Sequence, residues 1–204
     1  MINPSEALER LRQGNARFVA NELSRSVSNL ERARLASGQN PFAVILGCSD
    51  SRVPTETVFD QGLGDLFVIR VAGNIVAPSQ IGSVEFAAQK FATRLVVVLG
   101  HTQCGAVEAT IDELQRPAEK QSRNIAAIVS RIRPSVMDLL ESGEVTDRED
   151  LIRQAVRENV RYSTNALRHG SDIIEELIRK DELLIVGAEY SLDTGVVEFF
   201  DGAP

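Results

Sequence analysis

Four short apolar runs, at 42–46, 66–71, 95–99 and 183–186, set the strongest limit on how this chain can fold. Three are continuous and rich in β-branched residues rather than alternating with polar ones, as in parallel strands covered on both faces. Stretches with helical character lie between them, at 54–60, 79–92, 104–115, about 119–142, 147–168 and 171–180. Strands and helices in alternation predict a parallel sheet with right-handed crossovers. A fifth run, 196–200, follows the turn residues Asp193, Thr194 and Gly195 and predicts a hairpin-like edge strand. The fold class is α/β: a single domain with a mostly parallel central sheet of about five strands flanked by helices.

A chain of 204 residues suits one such domain and is short for two. Residues 1–40 read as a helical arm before an α/β unit at 41–204. Asn3, Pro4 and Glu6 supply an N-cap, a first-turn proline and a capping-box acid for a helix over 3–21. Its apolar residues Ala7, Leu8, Leu11, Ala16, Phe18 and Val19 form a face that must pack on something. A second helix over 29–37 is expected to end at a left-handed Gly38, leaving Gly38-Gln39-Asn40-Pro41 as a loop. The pattern is weakest over 116–147, where Pro117, Pro134 and Gly143 interrupt it.

Several functions are disfavoured. The 29 acidic residues against 22 basic ones give a net charge of −7, which repels phosphate backbones and anionic lipid. No apolar run approaches the ~20 residues of a spanning helix, and the charged N-terminus lacks a secretory signal's apolar core. A cytoplasmic location without nucleic-acid or membrane partners is expected. Cys48 and Cys104 are too few for a disulfide framework. No G-x-G-x-x-G or P-loop pattern is present, and no histidine stands ready to activate Ser49 or Ser51.

Ligands of open α/β sheets bind beyond the carboxyl ends of the strands. There the first strand is followed by Cys48-Ser49-Asp50-Ser51-Arg52 and the third by His101-Thr102-Gln103-Cys104-Gly105. If the strands are neighbours, Cys48, His101 and Cys104 offer three ligands suited to zinc, with a fourth position left for water or a carboxylate, as in catalytic zinc sites. Cys104 would also open a helix, where a thiol is more readily ionised. On spacing alone, metal binding and a pair of buried thiols beside a satisfied core histidine are about equally open. Asp50 and Arg52 can form a bidentate pair, although a solvated ion pair capping the next helix is the commoner case. His169, before Gly170 at a helix end, reads as a cap with glycine at C′, not as a ligand.

The segments CSDSR at 48–52, FDQGLGDLFVIRVAGN at 59–74 and VVVLGHTQCGAV at 96–107, with Gly38-Gln39 and Pro41 before the first strand, resemble the β-class carbonic anhydrases. The similarity is strong over about residues 5–112 and looser beyond, where Ile185, Val186, Gly187 and Tyr190 fit. It implies one zinc ion per subunit on Cys48, His101 and Cys104, and hydration of carbon dioxide to bicarbonate and a proton by hydroxide formed on the metal. Asp50, paired with Arg52, is implied to accept a hydrogen bond from the reacting water, or to swing in as fourth ligand in a closed state. Gln39, Gly105, Phe67 and Ala72 match substrate-side positions. The N-terminal helices are implied to extend onto a partner subunit in a dimer or tetramer. Two departures stand out: Ile45 occupies the tryptophan position of bicarbonate-regulated members, and Phe86 replaces a common tyrosine. Related proteins with the same ligands act on carbon disulfide or carbonyl sulfide, and a non-catalytic zinc or redox-sensing module is the alternative of another class.

Overall fold

The computed structural model describes residues 2–24, 28–116 and 122–204. Pro117 and the start of the helix expected over 119–142 lie outside the described residues. The chain runs α1 (Pro4–Val19), α2 (Asn29–Leu35), β1 (Ala43–Gly47), α3 (Thr55–Val58), β2 (Leu66–Arg70), a 3-10 turn (Ala72–Asn74), α4 (Pro78–Lys90), β3 (Leu95–His101), α5 (Gly105–Gln115), α6 (Arg123–Ser142), α7 (Arg148–Arg168), α8 (Asp172–Arg179), β4 (Leu184–Tyr190) and β5 (Val197–Asp201).

The five strands form one sheet in the order β2-β1-β3-β4-β5, parallel except for β5, which pairs antiparallel with β4. Because successive side chains leave a strand on opposite faces, β1 sends Ile45 one way and Val44 and Leu46 the other. Ile45, Val97, Leu99, Val186 and Ala188 pack against α1, Val58 and Phe59. Val44, Leu46, Val96, Val98 and Ile185 pack against residues of α4, α7 and α8. A third cluster joins Val107, Ile111, Ile132, Val136, Ala155 and Val156 from α5, α6 and α7, and contains Cys48 and Cys104.

The first half of the apolar face of α1 is buried on its own chain. Ala7, Leu8 and Leu11 enter the core, each leucine contributing about 2 kcal/mol by burial. Buried Asn15 donates to the carbonyls of Val58 and Gly195 and accepts from the Val197 amide. A Cβ on Gly14 would lie 1.8 Å from the Phe59 carbonyl oxygen, so only glycine lets the helix approach this closely. Arg17 pairs with buried Asp60, whose carboxylate also accepts from Ser24. Of the apolar positions read from the sequence, Ala16 and Val19 stay exposed and Phe18 is half-buried, and Leu23 and Leu30 beyond them are exposed too.

Other differences have local causes. Helix α2 stops at Leu35 and Gly38 is not left-handed; its amide closes a turn onto the Leu35 carbonyl instead. Helix α6 continues through Pro134, because burial of Val129, Ile132 and Val136 outweighs the backbone hydrogen bond that proline removes. It ends at Gly143, which takes φ 62. Gly170 is not a left-handed C′ residue either; glycine is needed there for space, because a Cβ would meet the Ala166 carbonyl oxygen at 2.5 Å. Strand β4 runs on to Tyr190, past the end of its apolar run, because β3 and β5 both pair with it there.

Candidate metal centre

The register places the two chemical loops side by side. Gly47 pairs with Leu99, so Cys48, one residue beyond the end of β1, falls beside the end of β3, where His101 is the last strand residue. Cys104 then caps α5. One ligand atom from each of Cys48, His101 and Cys104 lies within 4.8 Å of the others, and all three residues are buried. Both thiols are free.

Three features make the group fit a zinc-like cation. The donors are two sulfurs and an imidazole, a set suited to that ion. The histidine is oriented: Nδ1 lies 2.9 Å from the Thr102 carbonyl oxygen, which fixes its proton there, while buried Nε2 has no hydrogen-bond partner among the described residues. The thiols share charge unequally. Neighbouring Cys104, then His101 and the Gly73 and Asp50 amides, push Cys48 down to about 4 against the opposing effect of burial. Cys104 is pushed up by its hydrogen bond to Cys48 and by burial, against the opposing Val107 and Ala106 amides. Burial lowers the His101 pKa, but the neighbouring Cys48 thiolate outweighs it and the net shift is upward.

Asp50 stands at the edge of this group. Its Oδ1 accepts from Arg52 Nε at 2.9 Å, its Oδ2 from Arg52 Nη2 at 2.8 Å, and the Arg52 amide adds a bond of 2.9 Å. That clamp holds the carboxyl well below the usual carboxylate range. Oδ2 is still only 3.9 Å from His101 Nε2. Arg52 also reaches the Gln103 carbonyl, tying the first loop to the second. The bidentate pair expected from the sequence is present.

The other expected residues divide in two. Ala72 lies in the turn whose Gly73 amide donates to Cys48 Sγ at 3.3 Å, and Gly105 is the first residue of α5, so both belong to this end of the sheet. Gln39 is exposed in the loop before β1, at the opposite end of that strand from Cys48. Strand rise is about 3.3 Å per residue, so roughly 15 Å of β1 separates them. Phe67 pairs with Val44 near the same far end and packs with Phe86 and Phe91. Neither is brought to its own chain's cysteines. His169 is exposed, 3.6 Å from Glu175, and takes no part in the cluster.

Arg70, Gly73 and Asn159 were not singled out from the sequence. Arg70 donates to the Cys48 and Asp50 carbonyls and fixes the loop between them; its place at the carboxyl end of the second strand was a usable signal. Asn159 donates to the Gly73 carbonyl, and its only signal is an amide on the apolar stripe of α7.

Residues 43–197 match the family model described as carbonic anhydrase. The chain is 40% identical over 194 residues to carbonic anhydrase 2 of Mycobacterium tuberculosis, covering 95% of this chain and 91% of that one. It is also 40% identical over 197 residues to a carbonic anhydrase of Mycolicibacterium smegmatis, at 96% and 93% coverage. Among solved structures, the β-carbonic anhydrase CafA of Aspergillus fumigatus superposes with a TM-score of 0.75 at 25% identity, covering 98% of this chain and 91% of that one. A Sordaria macrospora structure titled as tetrameric β-carbonic anhydrases gives a TM-score of 0.75 at 22% identity over 96% and 97% of the two chains, a likeness of fold.

Proposed function

Because the chain belongs to the β-class carbonic anhydrase family and catalyses the reversible hydration of carbon dioxide to bicarbonate and a proton, we propose that Cys48, His101 and Cys104 hold one zinc ion per subunit and that Asp50, held by Arg52, orients the reacting water. The observation that carries this is the convergence of two sulfurs and an imidazole within 4.8 Å, buried and backed by a histidine Nε2 that has no hydrogen-bond partner among the described residues. Bound there, zinc would supply the Lewis acidity that brings deprotonation of water toward neutral pH.

The protein's own groups do the rest. Thr102 keeps the His101 proton on Nδ1 and leaves Nε2 free to donate its lone pair. Asp50, its pKa held low by Arg52, stays a carboxylate and can only accept a hydrogen bond, so it selects the orientation in which water presents its oxygen lone pair to carbon dioxide. The same two Arg52 bonds restrain Asp50 from becoming a fourth ligand, since reaching the cluster would break them. The Gly105 amide and Ala72 line the substrate side. Gln39 and Phe67, remote from their own chain's cysteines, are assigned to the site of a second copy, which makes a dimer or tetramer the working unit. A reducing cytoplasm suits the two free thiols.

Metal analysis with stopped-flow hydration tests this reading. Stoichiometric zinc, carbon dioxide hydration, and no turnover of carbon disulfide or carbonyl sulfide are expected. Zinc-free purified protein, or a zinc-loaded but inert one, refutes it.

A further inference from the structure

Asn159 is 1% exposed, on the face of α7 that also buries Ala155, Val156 and Val160. Its Nδ2 donates to the Gly73 carbonyl at 2.8 Å, while Oδ1 has no partner among the described residues. An amide that gives up its hydration for one hydrogen bond adds little net stability, so its value lies in what that bond holds.

It holds the turn that carries Gly73, and among the described residues it is the side-chain hydrogen bond on the Gly73 carbonyl. Gly73 has φ 70 and ψ 20, and Asn74 beside it is left-handed at φ 43, a conformation that a buried non-glycine residue keeps only when its surroundings impose it. A Cβ on Gly73 would meet Ile132 Cδ1 at 2.7 Å and Ala106 Cβ at 3.1 Å, so α5 and α6 press on the turn while α7 grips its carbonyl through Asn159. On the other side of the same Cα, the Gly73 N–H donates to Cys48 Sγ at 3.3 Å.

Resting on the zinc reading above, we propose that Asn159 is a positioning residue for the metal centre: by holding the Gly73 carbonyl it keeps the Gly73 N–H aimed at the Cys48 sulfur. That hydrogen bond draws electron density from the thiolate and fixes the direction in which the sulfur presents its lone pair. Outer partners of metal ligands act in this way. Without Asn159 the turn relaxes, the amide swings off the sulfur, and Cys48 becomes both a more electron-rich and a less well aimed ligand.

The test uses the full-length chain stripped of metal, titrated with Co²⁺ and, against a chromophoric chelator, with Zn²⁺. Asn159→Leu is apolar, of similar size and removes the donor at any pH; Asn159→Ala removes it without added bulk and carries the test if the leucine prevents folding. Both are expected to move the sulfur-to-cobalt charge-transfer band to longer wavelength and to weaken zinc binding about 10- to 100-fold. Leu167→Ala, which empties a fully buried position farther along α7, controls for lost stability and is expected to leave band and affinity at their wild-type values. Asn159 variants with the wild-type band and affinity, or a Leu167 variant that shifts both equally, overturn the proposal. Wild-type protein that binds neither metal removes the zinc reading itself and this inference with it.

Discussion

Asp50 has both oxygens committed to one guanidinium while lying 3.9 Å from the histidine nitrogen at the centre of the cluster. A carboxylate restrained in this way can orient water without occupying the metal. Asp50→Asn keeps the size, loses the charge, and replaces one acceptor with an amide that donates. Turnover is expected to fall about 10²- to 10⁴-fold, the usual worth of a positioned acid–base group, with zinc content unchanged because no obligatory ligand is lost. Stopped-flow hydration beside metal analysis reads both; full activity would remove Asp50 from the reaction. His101→Ala should behave oppositely and lose the metal, since it deletes the cluster's one imidazole.

Among the elements, α1 and the β4–β5 hairpin show where local chemistry sets stability. Gly14→Ala would drive a methyl into the Phe59 carbonyl and push α1 off the sheet. A loss on the order of 3 kcal/mol is expected, a fall in Tm of about 6–12 °C for a chain this long, measurable by thermal denaturation. On β4, Glu189 is 8% exposed, with Oε1 unpartnered and Oε2 3.1 Å from Arg157. Burial pushes its pKa up, and Arg157 only partly offsets this. A carboxyl whose folded pKa exceeds its unfolded one supports the fold fully below the unfolded value and loses that support as pH rises through the folded one. Glu189→Gln should therefore gain stability relative to wild type as pH climbs from about 4 to 7; melting curves that stay parallel across that range would contradict it.

The same elements show what was legible in the sequence. The parallel strands were readable because continuous β-branched runs alternate with helical stretches, whereas the adjacency of β1 and β3, which brings CSDSR and HTQCG together, entered only as a condition that the sheet then met. The roles of Gly14, Arg70, Gly73 and Asn159 were not, because each depends on how near a distant backbone comes: the Phe59 carbonyl, the Cys48 carbonyl, the Cys48 sulfur and the Gly73 carbonyl. Likewise, amphipathicity announced that α1 buries a face but could not say on which chain. Pro134 weakened the pattern without ending the helix expected through it, because propensity is local and the packing of α6 is not.

For the whole molecule, the placement of Gln39 and Phe67 has the largest consequence. Both sit toward the far end of β1 and β2 from their own cysteines, and Phe67 joins Phe86, 52% exposed, and Phe91 in an aromatic group beside edge strand β2. If Gln39 touches substrate, it does so in the site of a second copy, and each active site is then built from two chains. Gln39→Ala and Cys48→Ser should each be nearly inactive alone. Co-expressed in equal amounts, they pair at random, and half of the dimers contain one of each. In a mixed pair one site carries both lesions and the other carries neither, so about a quarter of wild-type activity should return, the arithmetic of a two-fold assembly. A site complete within one chain would give no such recovery, because every Cys48→Ser chain would keep a broken metal site and every Gln39→Ala chain a weakened substrate contact. Sedimentation of the mixture alongside the hydration assay separates failure to pair from failure to share: mixed dimers without recovered turnover would place Gln39 in its own chain's site, and an active Gln39→Ala protein would place it outside the site altogether.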